Sequence, residues 1–206
     1  MDSASHSTSN SSDSQYLSDI DVQLMLEFKG GDKASFEALM TKYFPRVLNF
    51  IYRFVGNREL AEDLTQEVFI KVYHSAANYT PQAKFQTWLF TIAKNISLNE
   101  IRRHKGHTIS LDETFETDGN EVKRQFEDTK MANPKEELLL KEKQEIIKEA
   151  IHSLPENQRM AVLLRRYDNF SYEEIAKTLN VSVKAVKSLL SRAKENLREK
   201  LAGWVD

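Results

Sequence analysis

Between residues 171 and 201 the sequence spells out two helices joined by a turn too tight for most residues. Ser171-Tyr172-Glu173-Glu174 is a capping box, in which the serine side chain and the glutamate three positions later each satisfy a free backbone N–H. Ile175, Ala176 and Leu179 follow at helical spacing, and Asn180 stands where the chain needs a residue tolerant of positive φ. Ser182 supplies a second cap, and Val186, Leu190, Ala193, Leu197 and Leu201 then mark one face of a longer helix. Ala176 is small where the two helices must approach closely. Two helices joined in this way make a helix-turn-helix.

The second of these helices turns Ser182, Lys184, Lys187, Ser188, Ser191 and Arg192 outward. Residues 182–200 hold six basic groups against two acidic ones. Such a helix can lie in a DNA major groove, its early residues at base edges and its lysines and arginines on phosphates. Short serine side chains allow deep entry.

The net charge of −2, from 29 basic and 31 acidic residues, argues at first against nucleic acid. Divided along the chain, it does not. Residues 1–83 carry −4, residues 84–105 carry +4, residues 106–149 carry −5 and residues 150–206 carry +3. With a Debye length of about 8 Å in physiological salt, local charge governs contact with DNA more than the total. Two basic blocks are separated by an acidic one.

The rest of the chain reads as helix. Residues 1–15 hold seven serines and read as a disordered tail, part of a lead-in spanning 1–31. A helix begins at Asp32, with Phe36, Leu39, Met40, Tyr43 and Phe44 on its stripe. Pro45 is expected to open a second helix bearing Val47, Leu48, Ile51, Tyr52 and Val55, stopped by Gly56-Asn57. A third has Leu60, Ala61, Leu64, Val68 and Val72 on one face and Glu62, Asp63, Gln66 and Glu67 on the other. After a turn at Asn78-Tyr79-Thr80-Pro81, a fourth directs Phe85, Trp88, Leu89, Ile92, Ala93 and Ile96 inward and exposes Lys94, Asn95, Asn99, Arg102 and Arg103. Residues 106–134 lose the periodicity, carry seven acidic and three basic groups and read as a linker long enough to let two domains sit apart. Helices resume near Lys135, with Leu138, Leu139, Ile146, Ile147, Ala150, Ile151 and Leu154 as a stripe, and Pro155 opens the next helix. The expected fold is all-α, two small helical domains (32–105 and 135–206) joined by an acidic flexible linker.

Enzymatic classes find no footing. The chain has no cysteine, its five histidines are scattered, and neither a glycine-rich phosphate loop nor a nucleophile elbow is present. His104 and His107 are spaced like ligands but lie beside basic residues. No metal and no cofactor are expected. No apolar run approaches a membrane span and no signal segment is visible, so a cytoplasmic protein without membrane insertion is expected.

With these pieces placed, the chain resembles a bacterial RNA polymerase sigma factor of the extracytoplasmic-function class. Three stretches carry the resemblance: Ala61-Glu62-Asp63-Leu64-Thr65-Gln66-Glu67-Val68-Phe69; Phe85-Gln86-Thr87-Trp88-Leu89-Phe90-Thr91-Ile92-Ala93-Lys94-Asn95 with Arg102-Arg103; and Leu154-Pro155 through Glu199. It implies that 32–105 is sigma region 2 and 135–206 is region 4. Region 2 would bind core RNA polymerase through Asp63, Gln66 and Glu67 with Phe69 as apolar anchor. It would also bind −10 promoter DNA through Asn78, Tyr79, Lys84, Phe85, Trp88, Lys94, Asn95, Asn99, Arg102 and Arg103. In the turn, Asn78 and Tyr79 are the stronger candidates for capturing an unstacked base, since Phe85 and Trp88 also fit the core stripe. Region 4 would read −35 duplex through Ser182, Lys184, Ala185, Lys187, Ser188, Ser191 and Arg192. The chain departs from the family at Ala185, Leu189 and Asn99, where threonine, arginine and aspartate are usual. Leu189 forgoes a phosphate contact. The resemblance implies no bond chemistry. It implies partnership with core RNA polymerase and promoter DNA, and an anti-sigma factor as a further kind of partner, which no residue here identifies. The rival reading is a dimeric or ligand-sensing helix-turn-helix regulator acting without being a polymerase subunit, although no heptad seam for a dimer is present.

Overall fold

The computed structural model describes residues 16–108 and 134–204. The serine-rich tail, and the expected linker apart from its outermost residues, lie outside the described residues. In chain order the elements are α1 (Ile20–Lys29), α2 (Lys33–Val55), α3 (Arg58–Ser75), a 3₁₀ turn (Ala76–Asn78), α4 (Phe85–Thr108), α5 (Pro134–His152), α6 (Glu156–Arg166), α7 (Tyr172–Leu179) and α8 (Val183–Lys200). No strand occurs among the described residues, as the periodicity predicts.

Two elements differ from expectation. α1 occupies what reads as lead-in. The Asp19 side chain accepts from the N–H groups of Asp21 and Val22 to start it, and Val22 and Met25 are fully buried. Asp21 fixes α1 to α2, accepting from Lys42 Nζ at 2.6 Å and from the Tyr43 hydroxyl at 2.6 Å. Burial, and then this bond to Asp21, push the Tyr43 hydroxyl well above the usual phenol range.

Pro45 does not open a helix but lies inside one of 23 residues. An interior proline costs about 3 kcal/mol. The helix is continuous because Leu39 and Tyr43 before the proline, and Val47, Phe50, Ile51 and Phe54 after it, are buried on one stripe. Each contributes about 1.5–3 kcal/mol of burial, so packing outweighs the lost hydrogen bond.

The punctuation elsewhere follows the sequence. Gly56 ends α2 at φ 84°, and Asn57 Oδ1 accepts from Leu60 N–H at 2.9 Å to start α3. Both arms of the capping box form: Glu174 N–H donates to Ser171 Oγ at 3.1 Å and Ser171 N–H to Glu174 Oε2 at 2.7 Å. Asn180 adopts φ 55°, and Ser182 Oγ accepts from Ala185 N–H at 3.1 Å.

The linker's length permits separation, but the two halves are docked. Phe90 of α4 and Phe170, ahead of α7, are both fully buried and meet edge to face, with ring centroids 5.2 Å apart. Around them Gln86 Nε2 donates to the Asp168 carbonyl at 3.3 Å and Arg46 pairs with the Asp168 carboxylate at 3.4 Å. Arg53 lies over the Tyr167 ring at 4.0 Å. Most of the buried apolar side chains, from Val22 to Val186, form one cluster that spans both halves.

Candidate functional site

Three surfaces carry the candidate residues. On α8, Val186 and Ala193 are fully buried, while Ser182, Lys184, Lys187, Ser188, Ser191 and Arg192 are exposed and Ala185 is half-buried. Asn196 Nδ2 donates to Gln158 Oε1 at 2.9 Å, fixing the helix against α6. The outward face is basic with short hydroxyls near its N-terminus, a shape and charge suited to a major groove. Leu189, where the family usually has arginine, is half-buried and packs on the core.

The second surface is a cleft of about 540 Å³ between the end of α3, the 3₁₀ turn and the start of α4. Asn78 lies on its exposed lip. Tyr79, expected on the turn's surface, is only 3 % exposed. Its ring meets Trp88 edge-on, centroids 4.9 Å apart, its carbonyl accepts from Lys29 Nζ at 2.8 Å, and burial pushes its hydroxyl up to about 12. Trp88, expected inward, is half-buried and lines the cleft. The two therefore exchange places: Trp88 offers the aromatic surface and Tyr79 braces it. Phe85 is fully buried against Tyr43, as the stripe predicts.

Of the polar groups expected along α4, Asn95, Asn99, Arg102 and Arg103 are exposed. Arg103 Nη2 donates to Glu100 Oε1 at 2.6 Å. Lys94 is not on the surface: it is 9 % exposed, and burial, helped by Arg102, holds its ammonium below the usual lysine range. Lys84 is exposed and pairs with Glu174 of α7 at 2.9 Å. Sequence reasoning missed Lys71, Thr87, Thr91 and Lys177 in the cleft wall. Thr87 and Thr91 share the α4 face of Trp88 and could have been read from spacing; Lys177 belongs to α7 and could not.

The third surface is the polar face of α3, where Asp63, Gln66 and Glu67 are exposed. Phe69, expected as an apolar anchor, is 4 % exposed and stacks on Phe44 at 5.7 Å. The open apolar groups are its neighbours Ile70, 58 % exposed, and Tyr73, 48 % exposed. They rim a groove of about 320 Å³ floored by Phe36, Met40, Phe44 and Phe69. Among the described residues no cluster of three or more His, Cys, Asp or Glu could hold a metal, and no helix is long and apolar enough to cross a membrane.

Comparison with known proteins joins these surfaces. Residues 39–107 match the family model Sigma-70 region 2, and residues 144–197 match Sigma-70, region 4. The chain is 32 % identical over 185 residues to the RNA polymerase sigma-H factor of Pseudomonas aeruginosa, covering 88 % of this chain and 93 % of that one. It is 33 % identical over 187 residues to the ECF RNA polymerase sigma-E factor of Escherichia coli K12, covering 88 % and 94 %. The chain belongs to the extracytoplasmic-function sigma factors. Region 2 accounts for the cleft and the α3 face, and region 4 for α8. The fold of this sigma factor is also that of the Bartonella quintana sigma factor RpoE, solved with the anti-sigma factor NepR (TM-score 0.65, 23 % identity, covering 81 % of this chain and 96 % of that one). A second likeness is CnrH, solved with the cytosolic domain of CnrY (TM-score 0.67, 20 % identity, covering 91 % and 100 %). Two sigma regions in order within one chain give the regulator reading no support.

Proposed function

We propose that the chain binds core RNA polymerase and directs it to promoters, with its three surfaces dividing the work. Region 4, taken as 135–206, docks α8 in the −35 major groove, where Ser182, Ala185, Ser188 and Ser191 approach base edges and Lys184, Lys187 and Arg192 neutralise phosphates. Region 2, taken as 32–105 with α1 packed on it, opens −10 DNA. Asn78 and Trp88 receive an unstacked base of the non-template strand, while Asn95, Asn99, Arg102 and Arg103 follow its backbone. Asp63, Gln66 and Glu67 meet a basic surface of the polymerase, with Ile70 and Tyr73, rather than the buried Phe69, supplying the apolar contact.

The observation that carries this reading is an exposed basic face on α8 and an exposed Arg102–Arg103 pair toward the end of α4, beside an acidic face on α3. A protein that bound duplex DNA alone would have no use for the acidic face. The chain itself breaks and makes no bond; the polymerase does. It acts in the cytoplasm with the polymerase, and an anti-sigma factor is the kind of regulatory partner proposed, since the similar Bartonella quintana sigma factor was solved with one. Run-off transcription with purified core polymerase tests the reading. Promoter-directed RNA that requires this chain is expected, and its absence across genomic templates sinks the proposal.

A further inference from the structure

Trp88 offers the aromatic surface of the cleft, and its support comes from further along the chain than the cleft itself. Among the described residues it meets two rings, Tyr79 at 4.9 Å and Phe85 at 5.8 Å between centroids. Both are tied to α1, which precedes the residues matching Sigma-70 region 2 (39–107). At the start of α1 the Asp21 carboxylate accepts from the Tyr43 hydroxyl at 2.6 Å, and the Tyr43 ring meets Phe85 edge to face at 5.3 Å. At its end Lys29 Nζ donates to the Tyr79 carbonyl at 2.8 Å. A lysine in the last turn of a helix ordinarily attends to that helix's own free carbonyls. Here the backbone has taken them: Gly30 N–H donates to Leu26 at 3.0 Å, Gly31 N–H to Phe28 at 2.9 Å and Asp32 N–H to Glu27 at 3.1 Å. The ammonium is left to reach a residue 50 positions on.

Tyr79 needs such an anchor. Its hydroxyl has no hydrogen-bond partner among the described residues, so the polar end of the side chain does not fix the ring. Its backbone does. The Tyr79 N–H donates to the Ala76 carbonyl at 3.1 Å, and Lys29 holds the Tyr79 carbonyl. Thr80 and Pro81 come next, and a residue before proline is confined to extended backbone, which leaves the turn little slack. Turning the Tyr79–Thr80 peptide therefore moves two things together: the ring that braces Trp88, and the part of the cleft wall formed by Thr80 and Gln82.

We propose that α1 is a working part of the base-capturing cleft, with Lys29 as a positioning residue that fixes Tyr79 and, through it, the ring of Trp88. This rests on the function proposed above. Lys29 acts through Tyr79 and does not touch the base. Its bond is charge-assisted, hence stronger than a neutral one. It also pulls from a fixed point, because Lys42 and Tyr43 of α2 both bond to Asp21 at the other end of α1. Lys29 is exposed, so removing its ammonium costs the fold little. What it costs is the direction of one carbonyl.

Lys29→Met keeps the stem and removes the donor, and Lys29→Arg keeps a donor. In a Trp204→Phe background Trp88 is the one tryptophan of the chain, and acrylamide quenching of the free protein reads its exposure. Lys29→Met is expected to shift the quenching constant and Lys29→Arg to restore it. The holoenzyme with core polymerase is then given a non-template −10 oligonucleotide from a promoter mapped by run-off transcription, and versions with an abasic site at each position in turn. The captured base is the one whose removal weakens wild-type binding most. Lys29→Met should lower affinity for the intact strand about fivefold, the low end of what stacking one base is worth, and leave the strand lacking that base unaffected. Lys29→Arg should recover most of the loss, and both melting temperatures should stay within about 2 °C of wild type. Unchanged quenching or unchanged binding in Lys29→Met overturns the proposal. Equal weakening on both strands also overturns it, because that marks a phosphate contact. If no abasic position weakens the wild-type holoenzyme, the failure lies with base capture in the proposed function, and this inference falls with it.

Discussion

Arg159 of α6 caps the C-terminal end of α2: its Nη1 donates to the Phe54 carbonyl at 2.7 Å, and its guanidinium lies 5.3 Å from the Phe54 ring centroid. Nη2 donates to the Leu154 carbonyl at 3.3 Å, and the residue is 9 % exposed. Carbonyls of a helix's last turn have no partner within the helix and carry the negative end of its dipole, so a cation from the other half of the molecule suits them. Burial holds the guanidinium below the usual arginine range, yet an arginine remains charged.

Replacing that side chain should therefore be costly. Arg159→Ala leaves the Phe54 carbonyl buried without a donor, a loss of about 2–3 kcal/mol, and the melting temperature should fall by roughly 4–12 °C. Arg159→Lys keeps the charge but not the fork of donors and should fall between. Thermal unfolding of both variants checks the order; equal melting temperatures for Arg159→Ala and wild type would show that the contact is dispensable.

Gly56 is next to this site. Its φ of 84° strains any side chain, and a Cβ there would lie 2.5 Å from His152 Nε2 of α5. Left-handed backbone alone costs a non-glycine residue about 1–2 kcal/mol, and the clash adds to it. Gly56→Ala should destabilise by more than about 2 kcal/mol, whereas Gly203→Ala, which meets nothing within 4 Å, should be neutral in the same unfolding assay.

A half-buried histidine and a buried aspartate give stability a pH dependence of opposite signs. Burial, and then Arg159, hold the His152 imidazole below its ordinary value, so its contribution is complete above about pH 6.5 and is lost on acidification. Asp168 is pushed by burial from 3.8 up to about 6, so its contribution is complete below its unfolded value and is lost as pH rises through 6. Asp168→Asn mimics the protonated acid at every pH. Its stability relative to wild type should rise between pH 4 and 7 by about 1–3 kcal/mol, since each tenfold change in proton affinity is worth about 1.36 kcal/mol. Chemical denaturation at a series of pH values reads this; a flat difference contradicts it.

Much of this architecture is legible in the sequence because local chemistry and tertiary packing agree. The capping box at Ser171 and Glu174, the left-handed Asn180 and the Asn57 cap are all formed as their residue types require. Pro45 misleads because its local preference is opposed by a stripe that continues across it. α1 escapes notice because a ten-residue helix with a buried aspartate shows little periodicity; only its bonds to Lys42 and Tyr43 make the segment intelligible. The three candidate surfaces can be found from sequence, but their aromatic members cannot be sorted there. Helical period places Trp88 on the inward side of α4, and only the packing of the turn shows that Tyr79 fills the space beneath it. Docking of the halves is invisible in the sequence, since Arg46–Asp168 and Lys84–Glu174 join residues far apart along the chain and each reads alone as a solvated charge.

On α3 the apolar rim should matter more than Phe69. Ile70→Glu adds charge at an exposed position and should weaken core polymerase binding at least tenfold while leaving the melting temperature within about 2 °C, because surface substitutions usually change stability by less than about 0.5 kcal/mol. Fluorescence titration with core polymerase measures it; unchanged affinity would remove Ile70 from the interface.

The exchange of Trp88 and Tyr79 separates two accounts of base capture. If a flipped base stacks on Trp88, Trp88→Ala should lose about 1–3 kcal/mol of single-strand affinity, a drop of roughly 5- to 150-fold in binding of a non-template −10 oligonucleotide by the holoenzyme. Trp88→Phe, which keeps a ring facing the cleft, should recover most of it. Tyr79→Phe removes a buried hydroxyl that has no hydrogen-bond partner among the described residues, so binding should be unchanged and stability equal or slightly higher. Duplex binding at the −35 element is the internal control, because neither side chain lies near α8. If Tyr79→Phe weakens oligonucleotide binding and Trp88→Ala does not, the phenol reaches the base and the cleft opens differently once DNA is bound.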